Sequence, residues 1–377
     1  MKLLISLLLL SKLGTGTLPD TVAVPQVDKA VKTFMEKYNV PGVSVAVTRN
    51  GKLVYARGYG FADTAARQRV TPGSRFRIAS VSKCITAVAI LKLAEAGKLS
   101  ADDKVFGAQA LLGVRYGQLP YSGWLQEITV RQLLQHTAGA WPNNARDPMF
   151  LYPSLSADSL ISRTLIEQPV LYQPGKVYAY SNFGYCLLGR IIEKVSGQSY
   201  ETYVQSLLQE AGIHQMETGS NTLAERKPQE VVYYGQQQEN PYIYNIARMD
   251  AHGGWIATAT DLARFLTAVD GFPSRADLLS SASITQMTTP SAANPNYALG
   301  WLVNVYNNWW HAGSLPGTAS EIVRAANGFT WVILCNTRTD KGFFNDLDGL
   351  MWQAVNNPQT RWPDTDLFQP VPVLTTH

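Results

Sequence analysis

The segment Ser80-Val81-Ser82-Lys83 contains two side chains suited to covalent catalysis, and an apolar stretch follows it directly. Residues three positions apart lie on one face of a helix, so the Lys83 amine can reach the Ser80 hydroxyl. A lysine within an apolar helix is desolvated, which lowers its pKa and lets the amine accept a proton. The spacing therefore predicts a serine nucleophile activated by a lysine; a serine cap beside a solvated lysine is the alternative.

Two further segments place polar side chains where a helix or a strand would present them. Tyr180-Ser181-Asn182 stands immediately before a helical pattern, and His311 with Gly313 lies in a late strand pattern. Taken singly, the first is equally well a helix cap with a packed tyrosine, and the second an edge-strand histidine before a turn. Their significance depends on whether the fold brings them to Ser80.

The periodicity of the sequence predicts strands at both ends of the chain and helices between them. Asn50-Gly51 separates two strand patterns, 43–48 and 52–61, which is the signature of a β-hairpin. Further strands are predicted at 298–306, 308–313, 318–325 and 329–336, and helices at 27–39, 81–96, 130–136, 157–167, 183–195, 200–211, 261–269 and 344–355. The fold class is therefore α+β, an antiparallel sheet flanked by N- and C-terminal helices with an inserted all-helical domain.

This layout divides the chain into predicted units. Residues 25–62 and 291–357 form one discontinuous sheet domain, 63–290 form the helical domain, and 358–377 form a tail. The cleft between the two domains is the expected ligand site. No G-x-S-x-G elbow occurs, and the glycine-rich run at 58–63 lacks its third glycine, so an α/β-hydrolase and a Rossmann fold are both excluded.

Together and in this order, the three motifs resemble those of the penicillin-recognising serine hydrolases. This superfamily contains the class C β-lactamases, the D,D-peptidases and the family VIII esterases. The surrounding segments FRIASVSK, ITVRQLLQHTAG and GGWIATATDLARF agree with it, and the resemblance covers about residues 25 to 355. It implies a β-lactamase/D,D-peptidase-like fold.

The resemblance also implies catalytic roles. Ser80 would be the acylated nucleophile, and Ser82, with no lysine three residues later, is the poorer candidate. Lys83 would deprotonate Ser80 or tune the site, and Tyr180 would shuttle the proton to the leaving group and later activate water. Which of the two takes the first proton stays open. Asn182 would hold Lys83 and a substrate carbonyl.

The same resemblance assigns the late strand to substrate binding. His311 would occupy the basic position and supply positive potential, with Gly313 two residues later, and the backbone N–H groups of Ser80 and Ser314 would form the oxyanion hole. The hydroxyl residue usual between the basic residue and the glycine is replaced by Ala312, which cannot bind a substrate carboxylate.

The predicted function is therefore an esterase or amidase acting on small acyl esters or amides through an acyl-enzyme. A D,D-peptidase, a D-aminopeptidase or a weak class C-like β-lactamase is the enzymatic alternative. A penicillin-binding sensor or scaffold without turnover is the alternative from another class.

Seven loop aromatics are candidates for an acyl pocket, although each is more often a core residue: Trp141, Phe150, Tyr152, Tyr242, Tyr244, Trp255 and Trp309. His252 is expected to be a loop histidine satisfied by backbone.

Composition limits the other function classes. The chain has 377 residues, 46% of them hydrophobic, and a net charge of +4 without a run of like charges, so no nucleic-acid partner is expected. Residues 1–17 resemble a signal peptide, which predicts export to a periplasm or the medium, and their apolar run is too short for a membrane span. Cys84, Cys186 and Cys335 lie in apolar runs, which predicts buried thiols. Neither the cysteines nor the histidines have the spacing of metal ligands, so no metal or cofactor is expected.

Overall fold

The computed structural model describes residues 23–339 and 342–369. The predicted signal peptide at 1–17 and the last residues of the predicted tail, 370–377, lie outside this part of the chain. Across the two described ranges, no helix combines the length and the apolar character that crossing a bilayer requires.

The secondary structure follows the predicted order. The helices are α1 Pro25–Tyr38, α2 Ser82–Glu95, α3 Gly123–Glu127, α4 Val130–Leu134, α5 Pro148–Leu151, α6 Ala157–Glu167, α7 Asn182–Ser196, α8 Tyr200–Glu210, α9 Ala259–Thr267, α10 Ser281–Thr288 and α11 Phe343–Val355. The strands are β1 Gly42–Arg49, β2 Lys52–Asp63, β3 Gln68–Arg69, β4 Phe76–Arg77, β5 Glu217–Thr218, β6 Trp255–Ala257, β7 Leu302–Val303, β8 Trp309–Leu315, β9 Thr318–Arg324 and β10 Phe329–Cys335. Every predicted helix is confirmed within two residues at each end.

The main sheet joins the two ends of the chain. Its order is β3-β2-β1-β10-β9-β8-β7, and neighbouring strands run antiparallel. The predicted hairpin is β1 and β2, and β1 pairs on its other side with β10, where Val45 stands opposite Ile333. The predicted α+β fold with a discontinuous antiparallel sheet is confirmed.

Each face of the sheet is covered by helices. Val43, Val45 and Val47 alternate along β1 and pack in one apolar cluster with α1 and α11. The opposite face of β1, β2 and β10 packs against α9, whose Leu262 and Phe265 are fully buried. Since α2 is buried on all sides at the centre of the larger cluster, its apolar sequence has no polar face.

The region 63–290 is not wholly helical, in contrast to the prediction. It contains β3, which extends the main sheet, and a separate three-stranded sheet of order β4-β6-β5. Helix α9 also lies in this region of the chain but packs on the main sheet. These strands are two or three residues long, too short to give a period of two.

Two other differences have local causes. The strand predicted at 298–306 is reduced to Leu302–Val303, because the chain turns at 304–308 to enter β8. The short helices α3, α5 and α10 were not predicted, since four to eight residues give little periodicity. The described part of the tail returns to the sheet, where the Leu367 amide donates to the Leu53 carbonyl oxygen at 2.9 Å.

The cysteines are placed as predicted. Cys84, Cys186 and Cys335 are buried and unbridged. Burial raises the pKa of each thiol, so the reactive thiolate form is disfavoured.

Candidate active site

Ser80 lies in a tight turn that the main sheet holds in place. Residues Ala79–Val81 form one turn of 3₁₀-helix directly before α2, and Ala79 has a φ of +45°, which costs free energy for a residue with a Cβ. Two hydroxyls of β9 fix the preceding carbonyl groups: Thr318 donates to the oxygen of Arg77 at 2.8 Å and Ser320 to that of Ile78 at 2.6 Å. The sheet thus holds the nucleophile in a strained turn.

Gly313 is required where β8 passes this turn. A Cβ at position 313 would lie 2.3 Å from the Ile78 carbonyl oxygen, closer than the backbone can accommodate. The glycine therefore brings β8 close to the nucleophile. As a result, Ser314 and Ser80 line the same cavity, where the oxyanion hole was predicted.

The amine of Lys83 has three neighbours. Its Nζ lies 3.1 Å from Oγ of Ser80, 2.8 Å from Oδ1 of Asn182 and 2.8 Å from the carbonyl oxygen of His252. Burial lowers the pKa of Lys83 to about 7, against the attraction of the Asp147 carboxylate. An uncharged amine has two hydrogens and one lone pair. Since two carbonyl-type oxygens take the hydrogens, the lone pair is left for the Ser80 hydroxyl.

Tyr180 faces the same pair of residues. The Lys83 Nζ lies 4.8 Å from the centroid of the Tyr180 ring, and the Tyr180 hydroxyl hydrogen-bonds with Ser80. Burial raises the pKa of Tyr180, and the bond with Ser80 opposes this shift only in part. At neutral pH the phenol therefore keeps its proton, which makes Tyr180 a proton donor before it is a base.

Asn182 is positioned by its neighbour in sequence and by a buried acid. Ser181 caps α7 by accepting from the Gly184 amide at 3.0 Å, which places Asn182 in the first turn. The Asn182 amide nitrogen donates to Oδ2 of Asp147 at 2.7 Å. This bond leaves Oδ1 of Asn182 for Lys83.

Asp147 was not singled out from the sequence. It is 2% exposed, and its other oxygen accepts from the Met149 amide at 2.9 Å as the cap of α5. Burial raises its pKa, while the bonds from Asn182 and Met149 lower it. Nothing in the local pattern RDPM distinguishes this cap from an ordinary one.

We expect Asp147→Asn to lower kcat about tenfold and to move the acidic limb of its pH profile to lower pH, by roughly one unit. The reason is that the Asp147 carboxylate raises the pKa of Lys83, so its removal lowers that pKa further. The measurement is kcat from pH 5 to 9, with Asp102→Asn as the matched control on an exposed aspartate. A loss of activity without a shift of the limb would mean that Asp147 acts only on folding.

A cavity of about 300 Å³ opens onto Ser80 and Asn182. Phe150 and Tyr244 lie edge to face on its wall, with their ring centroids 5.5 Å apart, and Met249 lines the cavity as well. An ion pair also lines the cavity, with Nη2 of Arg338 2.6 Å from Oε1 of Glu239. The ligand space is thus lined by apolar side chains and by a charged pair.

The other loop aromatics predicted for the pocket have structural roles. Each contacts another side chain: Trp141 the ring of Phe183, Tyr152 the Glu167 carboxylate, Tyr242 the ring of Tyr233, Trp255 the ring of Tyr200, and Trp309 the Arg324 guanidinium. The expectation for His252 was wrong. Both of its ring nitrogens are buried without a hydrogen-bond partner among the described residues, and its functional contact is the main-chain oxygen that holds Lys83.

His311 reaches the site but lacks the predicted charge. Its ring lies 6.3 Å from that of Tyr180. Burial, together with the nearby Lys83, lowers the pKa of His311 to about 3, so the imidazole is neutral at physiological pH. The sequence could not reveal this, because the charge depends on what covers the ring. Ala312 stands opposite Glu321 of β9, on the face of β8 that it shares with Ser314, a residue of the cavity lining.

Known proteins share this architecture. A sequence model of the family described as Beta-lactamase matches residues 27–356. Protein flp of Staphylococcus aureus strain N315 is 27% identical over 325 residues, which are 84% of this chain and 63% of that protein, so the chain spans less than two thirds of its relative. The octameric penicillin-binding protein homologue of Pyrococcus abyssi superposes with a TM-score of 0.72 at 25% identity, covering 91% of this chain and 80% of the other. A class C β-lactamase superposes with a TM-score of 0.73 at 22% identity, covering 89% of this chain and 96% of the other.

Proposed function

We propose that this chain, which belongs to the β-lactamase family, is a serine hydrolase that cleaves small acyl esters or amides through an acyl-enzyme on Ser80. One observation carries the proposal. The Nζ atom of buried Lys83, whose pKa burial lowers to about 7, lies 2.8 Å from two carbonyl-type oxygens and 3.1 Å from the Ser80 hydroxyl, so the neutral amine can give its two hydrogens to those oxygens and offer its lone pair to Ser80. This arrangement suits a base for the first proton transfer.

Acylation starts with that transfer. Neutral Lys83 takes the proton of Ser80 as Oγ attacks the substrate carbonyl carbon, and the carbonyl π electrons move onto its oxygen. The N–H groups of Ser80 and Ser314 stabilise this oxyanion, at about 3 kcal/mol for each donor. When the bond to the leaving group breaks, Tyr180 donates its proton to that group, and the proton on Lys83 replaces it.

Deacylation repeats these steps with water as the nucleophile. Water loses a proton to the Lys83 and Tyr180 pair and attacks the acyl carbon, and the proton returns to Oγ of Ser80 as the acid leaves. Asn182 holds the Lys83 amine in position during acylation and deacylation, because Asp147 fixes the orientation of the Asn182 side-chain amide.

Two features favour substrates without a carboxylate. Ala312 has no hydroxyl to bind one, and part of the cavity wall is formed by Phe150, Tyr244 and Met249. A carboxylate held against that wall would be desolvated without a partner. Small uncharged acyl groups fit this surface better.

The proposal is tested by substrate comparison. Stopped-flow release of p-nitrophenol from short acyl esters is measured beside a chromogenic cephalosporin and a D-alanyl p-nitroanilide, with intact mass recorded for each mixture. We expect a burst and turnover on the esters. Turnover mainly on the cephalosporin or the D-alanyl amide would replace the substrate class, and a stable adduct without turnover would support a penicillin-binding sensor.

Restoring the missing hydroxyl gives a second test. We expect Ala312→Thr to raise kcat/KM for mono-p-nitrophenyl succinate relative to p-nitrophenyl butyrate by about tenfold, the value of one hydrogen bond to a charged group. Ala312→Val is the matched control, because valine has nearly the same shape and no hydroxyl. Equal ratios in the two variants would show that position 312 does not select against carboxylates.

A further inference from the structure

Glu239 and Arg338 form an ion pair in the wall of the cavity that contains Ser80. Nη2 of Arg338 donates to Oε1 of Glu239 at 2.6 Å. Among the described residues, none donates a hydrogen bond to the other carboxylate oxygen, Oε2. The Glu239 side chain is 34% exposed and that of Arg338 is 18% exposed. The carboxylate is therefore the more accessible member of the pair.

The segment that carries Glu239 is anchored at the end of β10. The Tyr234 amide donates to the Asn336 carbonyl oxygen at 2.9 Å, and Oγ1 of Thr337 donates to the Tyr234 carbonyl oxygen at 2.5 Å. The chain then turns, with the Glu239 amide donating to the Gln236 carbonyl oxygen at 3.0 Å. The carboxylate thus belongs to a segment fixed on the same sheet that positions the nucleophile.

Two aromatic rings lie beside this carboxylate. Phe150 and Tyr244 line the same cavity and contact each other edge to face. Burial raises the pKa of the Tyr244 phenol, the Glu239 carboxylate raises it further, and the Arg338 guanidinium lowers it. These electrostatic effects place the ion pair near the Tyr244 ring. A carboxylate and the face of an aromatic ring are two groups that attract an organic cation.

The other titratable groups of the cavity do not oppose a bound cation. His252 lines the cavity, and burial lowers the pKa of its imidazole well below the usual value, so the ring is neutral. Lys83, whose pKa is about 7, acts as a base in its uncharged form. Arg338 is the one cation among the described lining residues, and Glu239 balances its charge. Above pH 7 the cavity therefore presents a carboxylate oxygen without an unbalanced positive charge.

The catalytic cycle decides which part of the substrate can carry a positive charge. A cation on a small acyl group would stay close to Oγ of Ser80, which lies 3.1 Å from the Lys83 amine. Because that amine takes up a proton in each half of the reaction, the two positive charges would repel each other. A cation on the leaving group can lie farther from Lys83, and it departs after acylation.

We propose that Glu239 is a specificity-determining residue that binds a cationic leaving group, so the preferred substrates are small acyl esters of amino alcohols such as choline. This inference rests on the proposed hydrolase function and names the leaving group that the function left open. Phe150 and Tyr244 supply the second attraction, between the cation and their rings. The cavity of about 300 Å³ suits an ester of this size.

The first test compares two thioesters that differ in charge and have nearly the same shape. They are butyrylthiocholine and S-neohexyl thiobutyrate, in which a tert-butyl group replaces the trimethylammonium group. In the wild type at low salt, we expect kcat/KM to be about tenfold higher for the cationic ester, mainly through KM. In Glu239→Gln the two values should approach each other. The released thiol is measured with a chromogenic disulfide.

Glu127→Gln is the matched control for the loss of a carboxylate. Glu127 lies 2.7 Å from Lys104 in an exposed ion pair and is not among the residues that line the cavity. Its substitution should leave the ratio of the two thioesters as in the wild type. A wild-type ratio of one or less would overturn the inference, as would a Glu239→Gln ratio that equals the wild-type value.

Arg338→Met separates a ligand contact from a structural role of the ion pair. Without the guanidinium, the Glu239 carboxylate has one competing cation fewer, so the preference for butyrylthiocholine should rise about threefold. Glu239→Gln should lower it, so the two variants are expected to move the ratio in opposite directions. A decrease in both variants would show that the ion pair acts on folding alone. If Glu239→Gln does not fold, the wild-type ratio and Arg338→Met decide the question.

Binding without turnover separates this inference from the proposed function. Ser80→Ala cannot form the acyl-enzyme, so calorimetry can measure the Kd of butyrylcholine on it. We expect binding about tenfold weaker when Glu239→Gln is added, and equal affinity would overturn the role of Glu239. If the wild type cleaves no ester, the proposed function fails, and this comparison still decides the role of Glu239. Turnover of p-nitrophenyl butyrate without a preference for the thiocholine ester would overturn the inference alone.

Discussion

Ser80→Ala removes burst and turnover together, with kcat for p-nitrophenyl butyrate falling by about 10⁴ or more. The reason is that the Oγ atom forms the covalent bond, and none of its neighbours can replace it from the same position. Lys83 and Tyr180 both bond with this hydroxyl, so their arrangement has no function without it. The measurement is steady-state and burst kinetics, with intact mass showing no acyl adduct.

Ser82→Ala is the matched control, two residues further along the same segment. Ser82 is fully buried at the start of α2, and its hydroxyl has no hydrogen-bond partner in the described structure. Its removal should leave kcat within about threefold of the wild type. A Ser80→Ala protein that keeps more than a tenth of the activity would contradict the assignment of the nucleophile.

The parts of the fold predicted from sequence are those encoded locally. The hairpin was evident because Asn50-Gly51 supplies the turn between two strand patterns. Helix α7 was evident because Ser181 precedes a long helical pattern of apolar residues and caps its N-terminus. The pairing of β1 with β10 joins strands almost 300 residues apart. The strand patterns at both ends of the chain predicted one discontinuous sheet, but not which strands are neighbours in it. Short elements such as α5 gave no signal.

The candidate site divides in the same way. Ser80 and Lys83 were found because one helical turn joins them, whereas Asp147 comes from a loop without periodicity. Asp147 meets Asn182 across 35 residues. Such contacts depend on how loops pack against helices, which hydrophobic patterning does not specify.

Charge state was the property least accessible to sequence. Lys83 was expected to have a lowered pKa because apolar residues surround it in the chain, and burial does lower that pKa to about 7. His311 was expected to be a cation because the superfamily places a basic residue there. Burial keeps the imidazole neutral, and so does Lys83, which is distant from it in sequence. The type of a residue predicts its charge only when its exposure to solvent is also known.

Lys83→Met should lower kcat/KM on esters by about 10³ and change the shape of the pH profile. In the wild type, activity should rise between pH 6 and 8 with a midpoint near 7, because protonated Lys83 has no lone pair and the neutral form dominates above its pKa of about 7. In the variant, Tyr180 is the remaining base near Ser80, and its raised pKa moves the rise above pH 9. Methionine keeps the length and the packing of the side chain without the amine.

The control is Lys92→Met on the same helix. The Lys92 amine donates to the Leu278 carbonyl oxygen at 2.8 Å at the far end of α2, so its loss should leave both the rate and the midpoint unchanged. A wild-type profile that is flat from pH 5 to 9 would show that no ionising base limits the rate. A Lys83→Met loss below tenfold with the midpoint still near 7 would assign the titration to another group and make Tyr180 the acylation base.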